Sequence, residues 1–328
     1  MTLQEVLFKS FVKNGSLFLI IPIIKEVVAE TDLAIFLEDR RLLLKEKIIK
    51  DKYEPISIYV YDLDSKDACG VTAVEKQRFR IRFREKEIFD IEAEVCNDKD
   101  RKKYDLTITT LFKNDYRLFN IFYDYYCRQG VEYFYMYYNG IADDMIKQVL
   151  EKPNAKLIDW NYRYFNDRGA KYIHNAQMGQ IHHALHCYGD TTEYMIFCDL
   201  DEYLEVTSEK HEGSQEENSK NNTLLKYVSS KPDIEIFGFL NKWSKTIDMK
   251  IPKEFPTEFY ASTSFYFFGN RSKIIAKTDS CQLLNIHYHH QPCNKLLVDK
   301  RHVMYHFFNW SDSSRLVNEN FILVQKPL

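Results

Sequence analysis

The alternation of apolar and polar positions identifies strands in the N-terminal third of the chain. Residues 56–61 and 79–83 alternate apolar with polar side chains, which is the period of half-buried strands. Residues 1–50 instead mix apolar clusters, such as 33–37 and 42–44, with charged residues, and we expect them to be mainly helical. The sequence therefore predicts an N-terminal α+β accessory region, helical and then β-rich.

From residue 104 onward, predicted strands and helices alternate along the chain. The predicted strands are 106–112, 133–138, 156–160 and 194–198, and the predicted helices are 118–127, 143–150 and 170–187. This order favours an α/β fold with a mainly parallel sheet, right-handed crossovers and helices on both faces. The charged run 97–103 reads as a connection, so we predict an accessory region at 1–103 and a second domain at 104–328.

Two carboxylates follow the last of these predicted strands. Asp199 and Asp201 come directly after the apolar run 194–198, at the kind of strand end where α/β sheets bind ligands. On extended backbone, side chains two residues apart point to the same side, so the pair could hold one hard divalent cation. Glu202 could instead orient such a site from behind its ligands. The polar stretch 207–222 then predicts a mobile loop, either a lid or a plain surface insertion.

The acidic segment has two other interpretations. One is a solvated surface turn without any ligand. The other is the aspartyl nucleophile of a phosphatase, a chemistry that normally has Thr or Val two residues beyond the second aspartate. This chain has Tyr203 at that place, which disfavours the phosphatase.

Composition limits the remaining classes. The chain of 328 residues has a formal net charge of −3, so nothing suggests a nucleic-acid partner. Seven cysteines without a C-x-x-C pair favour reduced thiols in a cytoplasmic protein. The apolar stretch 17–24 is too short to span a bilayer, is broken by Pro22 and lacks a signal-peptide cleavage site. We therefore expect a soluble chain with no transmembrane segment.

Three segments together resemble glycosyltransferase family 92 (the DUF23-like group), whose members have the GT-A fold. Residues 111–115 are similar to the family's F-K-N-E, residues 130–140 to its G-V-x-x-F-x-x-Y-x-N, and residues 197–204 to its F-x-D-x-D-E-F. Asp115 replaces the family's Glu, and Tyr203 replaces its last Phe. The resemblance covers residues 104–310 and implies a Rossmann-like GT-A domain with a mainly parallel sheet flanked by helices.

The resemblance also implies a metal site. GT-A enzymes commonly complete the aspartate pair with a late histidine, so Asp199, Asp201 and His287 would hold Mn²⁺ (or Mg²⁺), with His289 as the alternative to His287. Another histidine pair, His182 and His186, has helical spacing without an acidic partner, and we expect ordinary helix packing there.

The nucleotide-sugar donor, for which we expect a UDP-sugar, would lie across the ends of the first three parallel strands. The candidates for binding it are Thr110, Phe112, Lys113, Asn114, Asn139, Asp143, Asp159 and Trp160 at strand ends, Gln177 and Gln180 on the following helix, and Lys273 and Lys277 on a basic strand. The lysines would balance the charge that develops on the diphosphate, and Arg271 could assist them.

An inverting transfer to a glycan hydroxyl needs a general base. Glu258 lies where the family carries an acidic residue, and Asp279 and Glu254 are alternatives. The competing hypotheses are a non-catalytic module of the same fold that binds nucleotide or glycan, and a metal-dependent phosphohydrolase or nucleotidyltransferase.

Overall fold

The computed structural model describes residues 2–22, 28–48, 56–63, 76–96, 103–167, 174–207, 223–288, 294–310, 317 and 319–326. The chain divides into two compact units. The first unit comprises Met1–Lys103, Trp160–Thr191 and Gln282–Leu284, and the second comprises Tyr104–Asp159, Thr192–Cys281 and Asn285–Leu328. The first unit thus includes two segments from beyond residue 103, and separate domains at 1–103 and 104–328 stay a prediction. The predicted loop 207–222, apart from Thr207, and the alternative ligand His289 lie outside the described residues.

The first unit contains an eight-stranded sheet in the order β4-β3-β7-β8-β1-β2-β6-β5. Its strands are β1 (Ser10–Lys13), β2 (Ser16–Pro22), β3 (Leu33–Leu37), β4 (Arg40–Arg41), β5 (Leu44–Ile48), β6 (Ile56–Asp62), β7 (Lys76–Phe83) and β8 (Glu87–Cys96). Neighbouring strands are antiparallel, except that β1 and β8 are parallel. Among the described residues, the α-helices of this unit are Leu3–Val6 and Asn175–Tyr188.

The prediction that the first fifty residues are mainly helical is wrong. Among the described residues of this range, strands β1–β5 predominate over the single turn of helix at Leu3–Val6. The physical reason is clearest in β2, where Leu17, Leu19 and Ile21 enter the core of the sheet while Phe18 approaches the ring of His186 on the helix Asn175–Tyr188. A strand buried on both faces shows a continuous apolar run, whose period does not distinguish it from a helix.

The histidines of the helix Asn175–Tyr188 are packing residues, as expected. His182 Nδ1 lies 2.8 Å from the Met178 carbonyl, and its Nε2 accepts from the Leu284 backbone at 3.2 Å. His186 Nε2 lies 2.9 Å from the Gln282 carbonyl, to which it donates. Burial and the nearby charge of Lys13 lower the pKa of His186 from 6.5 to about 4, against the opposing influence of the Gln282 carbonyl and of Asp190.

The lowered pKa of His186 predicts acid sensitivity. Between pH 6.5 and pH 4 the unfolded chain binds a proton at this position and the folded chain does not, so stability falls as the pH falls through that range. From pH 7 to pH 5 we expect the wild type to lose about 1–2 kcal/mol more than His186→Gln, which stays neutral and can still donate to Gln282. Urea unfolding of both proteins at the two pH values measures this difference. Equal losses would show that His186 is protonated in the folded protein.

The second unit contains a ten-stranded sheet, in which β11-β10-β9-β12-β16-β14-β15-β18 form a continuous order and β13 joins through β17, which pairs with β14. The strands are β9 (Tyr104–Phe112), β10 (Tyr133–Tyr138), β11 (Ala155–Asp159), β12 (Thr192–Phe197), β13 (Glu202–Val206), β14 (Ile236–Lys245), β15 (Glu258–Ser262), β16 (Lys273–Lys277), β17 (Leu296–Phe307) and β18 (Phe321–Gln325). In the described part of this unit the α-helices are Phe119–Arg128, Asp144–Val149 and Leu224–Ser229. No helix in the described residues combines the length and apolar character needed to cross a membrane.

The predicted parallel sheet is confirmed in one part of this unit. β11, β10, β9 and β12 run parallel, so their carboxyl ends meet at one edge of the sheet. The other half is different, because β16 pairs antiparallel with β12 and with β14, and β15 pairs antiparallel with β14 and with β18. The fold is therefore mixed α/β and rich in sheet, and the expectation of a parallel sheet holds for the β9–β12 part alone. Helices on both faces of that part stay a prediction.

Candidate functional site

The predicted acidic segment forms a tight turn between β12 and β13. The backbone N–H of Glu202 donates to the Asp199 carbonyl at 3.1 Å, and the backbone N–H of Asp199 donates to Glu202 Oε2 at 2.8 Å. The two aspartates are therefore not on extended backbone, and they meet different partners. Asp199 Oδ2 accepts from Lys273 Nζ at 2.9 Å, whereas Asp201 Oδ2 lies 3.3 Å from His306 Nε2.

Asp201, Glu202 and His306 form a compact group, here called the carboxylate–histidine group. One potential ligand atom from each lies within 4.8 Å of the others, which makes this the group of the described residues that could hold a metal ion. Pairing of β13 with β17 sets Glu202 opposite His306, and the Phe307 backbone N–H donates to the Asp201 carbonyl at 2.9 Å. All three side chains are buried; Glu202 and His306 are placed by the sheet, and Asp201 by the turn that precedes β13.

Lys273 forms ion pairs with Glu202 of this group and with Asp199 beside it. Its ammonium, on a side chain that is 2% exposed, lies 2.9 Å from Asp199 Oδ2 and 3.2 Å from Glu202 Oε2. Burial alone would lower the pKa of Lys273, but the carboxylates of Asp199 and Glu202 outweigh burial and hold that pKa above its ordinary value. Burial also disfavours the charged form of Glu202, and it raises the pKa of that carboxyl to about 7 against the opposing influence of Lys273.

An aromatic and cationic stack adjoins His306. The ring of Trp243, which lies opposite His306 in the β14–β17 pair, has its centroid 4.5 Å from the imidazole. The guanidinium of the exposed Arg271 lies 5.1 Å from the Trp243 ring. Arg271 has a φ of 57°, in the left-handed region that strains a side chain of this kind. Trp243 is fixed from the other side, because its Nε1 donates to the Tyr266 hydroxyl at 3.1 Å.

Asn241 on β14 and Thr110 on β9 are among the buried polar side chains that have no hydrogen-bond partner in the described residues. Asn241 shares a face of β14 with Trp243 and is fully buried, yet neither atom of its amide is bonded. The Thr110 hydroxyl, near the end of β9, is also buried and unbonded. Buried polar groups are bonded in most proteins, so each of these sites is suited to a water molecule or a ligand atom.

The predicted donor-binding residues at strand ends lie on the edge formed by the parallel strands. Phe112 ends β9, and Lys113 and Asn114 follow it as exposed residues. Asn139 follows β10 and donates its backbone N–H to the Phe112 carbonyl at 2.8 Å. These side chains and Asp199, which follows β12, therefore meet along one edge.

Asp143 and Asp159 lie at the same edge but have structural partners. The Asp143 carboxylate accepts from the Ile146 backbone at 2.9 Å and caps the helix Asp144–Val149. Asp159 accepts from the Ala142 backbone at 3.2 Å and thereby fixes the loop after β10. Both carboxylates remain exposed, so a role in ligand binding stays a prediction.

Trp160, Gln177 and Gln180 belong to the first unit. Trp160 is fully buried there, and its Nε1 donates to the Ala176 carbonyl at 2.9 Å, so the indole is a core side chain without a surface for stacking. Gln177 accepts from the Tyr164 hydroxyl at 3.0 Å, and Gln180 is buried in the same helix.

Lys277, Asp279 and Glu258 lie away from the carboxylate–histidine group. Lys277 is opposite Tyr194 near the start of β12, and Asp279 follows it in an exposed 3-10 turn. At the rise per residue of a strand, Lys277 is about 13 Å from Lys273, which begins β16, and Asp279 lies beyond Lys277. Glu258 is exposed at the start of β15, where it accepts from Gln325 at 3.0 Å. The structure therefore gives no support to Asp279 as the base, and Glu258 stays a prediction.

His287, the predicted third ligand, contacts Ser272, whose chain neighbour is Lys273. Its Nδ1 lies 3.1 Å from the Ser272 carbonyl, and it is not a member of the carboxylate–histidine group. The histidine of that group is His306, which was not among the candidates predicted from the sequence. The available signal was the spacing of His302 and His306 within the run 302–307, which would put both histidines on one face if that run were extended.

Substitution of the two histidines distinguishes these assignments. We expect His306→Ala to weaken Mn²⁺ affinity by about 100-fold or more, because even loss of a second-shell partner costs 10–100-fold. His287→Ala should leave Mn²⁺ affinity within a few-fold of the wild type. Isothermal titration with Mn²⁺ measures both constants. A larger loss in His287→Ala would restore His287 as the ligand.

Comparison with known proteins bears on what this site does. The family model of glycosyltransferase family 92 matches residues 106–322, about two thirds of the chain. The matched range includes the four parallel strands, apart from the first two residues of β9, together with the turn after β12 and the carboxylate–histidine group. No curated protein matches the chain.

Proposed function

Because the chain belongs to glycosyltransferase family 92, we propose that it moves a sugar from a nucleotide-sugar donor, a UDP-sugar in the first instance, to a glycan hydroxyl. The observation that carries this proposal is the buried carboxylate–histidine group, which lies beside the carboxyl ends of parallel strands. Such strand ends are where open α/β sheets bind nucleotides.

The donor atoms of this group suit a divalent cation. Two carboxylates and one imidazole are ligands that Mn²⁺ accepts, and their separation of at most 4.8 Å allows one ion to contact all three. We therefore assign the metal to Asp201, Glu202 and His306, with Asp199 held beside them by Lys273. When bound, the ion would neutralise the charge that develops on the leaving diphosphate.

The strand edge has the length that a nucleotide diphosphate requires. From β11 to β12 it crosses three strand spacings, about 14 Å. Lys113, Asn114, Asn139 and Asp159 lie along it as candidates to bind the base and ribose, beside the acids that would hold the metal. This arrangement supports the proposal that the β9–β12 part corresponds to the nucleotide-binding half of a GT-A fold.

The cations near the site have different roles in this proposal. Lys273 is buried and occupied by Asp199 and Glu202, so it orients the acids and balances their charge and does not contact phosphate. Arg271 is exposed and has its guanidinium over Trp243, one ring away from His306. Arg271 is therefore the side chain that we assign to the diphosphate.

A transfer with inversion also needs a base for the acceptor hydroxyl. Glu258 is the first candidate, and the exposed Glu254 is the alternative. Inversion of configuration at the anomeric carbon of the transferred sugar is proposed from the family resemblance.

A thermal-shift panel tests the proposed function. We expect UDP together with Mn²⁺ to raise the melting temperature of the wild type more than either alone, because both ligands would bind the folded state cooperatively. Asp201→Asn should lose the combined effect. Candidate UDP-sugars would then be tested for transfer to glycan acceptors.

The panel also separates the alternatives. Binding of UDP and Mn²⁺ without transfer or hydrolysis of any nucleotide sugar would favour a non-catalytic module. Release of orthophosphate or pyrophosphate would indicate a phosphohydrolase or nucleotidyltransferase. A larger shift with another nucleotide would overturn UDP as the donor nucleotide and leave the reaction class intact.

A further inference from the structure

Two cysteines of the first unit lie in contact. Cys96 is the last residue of β8, and Cys187 lies in the last turn of the helix Asn175–Tyr188. Their sulfur atoms are 2.8 Å apart, and the two side chains are 2% and 0% exposed. The residues are 91 positions apart in the sequence, so the contact depends on the folded unit.

The backbones on both sides of this contact are fixed by other interactions. Lys13 of β1 is the strand partner of Cys96. Its ammonium donates to the carbonyl of His186 at 2.8 Å and pairs with Asp190 at 2.8 Å. His186 directly precedes Cys187, so the same lysine fixes the helix end beside the strand that carries Cys96. The two sulfur atoms are thus brought together by contacts that do not involve them.

A sulfur–sulfur distance of 2.8 Å is short for two thiols. A disulfide bond is about 2.05 Å long, so the atoms need to approach by less than about 1 Å to form one. Two buried thiols gain little from each other, since a thiol is a weak donor and a weak acceptor. A disulfide bond between the two sulfur atoms would instead stabilise the folded unit.

We propose that Cys96 and Cys187 are joined by a disulfide bond in the mature protein. Each thiol gives up one proton and one electron, and the oxidant is the disulfide of a dithiol–disulfide oxidoreductase, which is reduced to two thiols. The bond forms through a mixed disulfide before the helix closes over β8, because exchange requires access to the attacking thiolate. A chain that acquires this bond folds in an oxidising compartment, in contrast to the reduced thiols that the sequence analysis predicted.

Cys127 and Cys198 provide internal comparisons. Cys127 is exposed, and Cys198 is buried with its sulfur 3.4 Å from the Tyr126 hydroxyl. Both belong to the second unit, and both should remain thiols under the conditions that join Cys96 to Cys187.

Peptide mapping of the full chain tests the proposal. The protein is folded in a glutathione redox buffer with protein disulfide isomerase, its thiols are blocked with N-ethylmaleimide in denaturant, and it is digested without reduction. We expect a linked peptide that contains Cys96 and Cys187, together with blocked Cys127 and Cys198. Complete blocking of Cys96 and Cys187 would overturn the proposal, and this result needs no variant to fold.

Thermal melting gives a second readout. Dithiothreitol should lower the melting temperature of the wild type by about 10 °C, since the bond closes a loop of roughly ninety residues. Cys96→Ser should melt at the lower temperature with or without dithiothreitol, and Cys127→Ser should behave as the wild type. A wild-type melting temperature that dithiothreitol does not change would contradict the bond.

Discussion

Asp201→Asn is expected to slow sugar transfer by at least about 100-fold, because metal stabilisation of transition-state charge is worth several kcal/mol and each 1.36 kcal/mol is tenfold in rate. The substitution keeps the shape of the side chain and leaves the backbone bond from Phe307 to the Asp201 carbonyl in place. The fold should therefore be retained. Turnover of a UDP-sugar at saturating Mn²⁺ measures the loss, and circular dichroism checks the fold.

Asp233→Asn is the matched control, because its side chain is 85% exposed and its partner Lys295 is 3.8 Å away. Its turnover should equal that of the wild type. Asp199→Asn tests the sequence-based assignment of Asp199 as a ligand, since a direct ligand would show a loss as large as that of Asp201→Asn. Wild-type turnover in Asp201→Asn would exclude the metal site proposed above.

Lys273→Met is expected to destabilise the second unit by about 3 kcal/mol, the low end for a broken buried ion pair. The buried Glu202 loses its counter-charge, whereas Asp199, whose side chain is 35% exposed, is partly compensated by solvent. Methionine retains most of the volume of the side chain, so the effect should come from charge. With Lys273 present, burial already raises the pKa of Glu202 to about 7, so without Lys273 the Glu202 carboxylate would take up a proton near neutral pH. Asp199 would lose the ammonium from which it accepts. Urea unfolding in the presence of EDTA measures the free energy of unfolding.

Mn²⁺ should restore part of this loss, because a cation bound by Asp201, Glu202 and His306 would supply positive charge at Glu202 and stabilise the folded state by mass action. Lys295→Met is the comparison, since Lys295 and Asp233 are both exposed and such pairs contribute little to stability. A Lys273→Met protein as stable as Lys295→Met would show that the acids beside Lys273 are already protonated in the folded state.

The sequence predicted the strands of the second unit well where buried apolar runs have clear ends. The predicted strand 133–138 coincides with β10, and the helix predicted at 118–127 is found at Phe119–Arg128. The sequence did not predict that antiparallel strands extend the sheet beyond β12. Strand order depends on pairing between distant segments, such as β12 with β16, and the local period contains no information about partners.

The absence of information about strand partners in the local sequence also explains which site residues were predicted and which were missed. The acidic segment was found because its carboxylates follow one another after an apolar run, but its backbone forms a turn and not an extended strand. Glu202 was assigned a supporting role because nothing local showed that it faces His306. His306 lies more than one hundred residues away in sequence and reaches the acids through the pairing of β13 with β17. Its family-based rival, His287, was chosen by position in the chain.

The contact between Trp243 and His306 has a practical consequence for spectroscopy. The chain has three tryptophans: Trp160 is in the core of the first unit, Trp310 is stacked on Phe307, and Trp243 lies against the imidazole of His306. Indole emission is quenched by a protonated imidazole and by a paramagnetic ion a few ångströms away. The fluorescence of Trp243 is therefore a native optical signal for the state of His306, which a Trp243→Phe protein would isolate by subtraction without any added label.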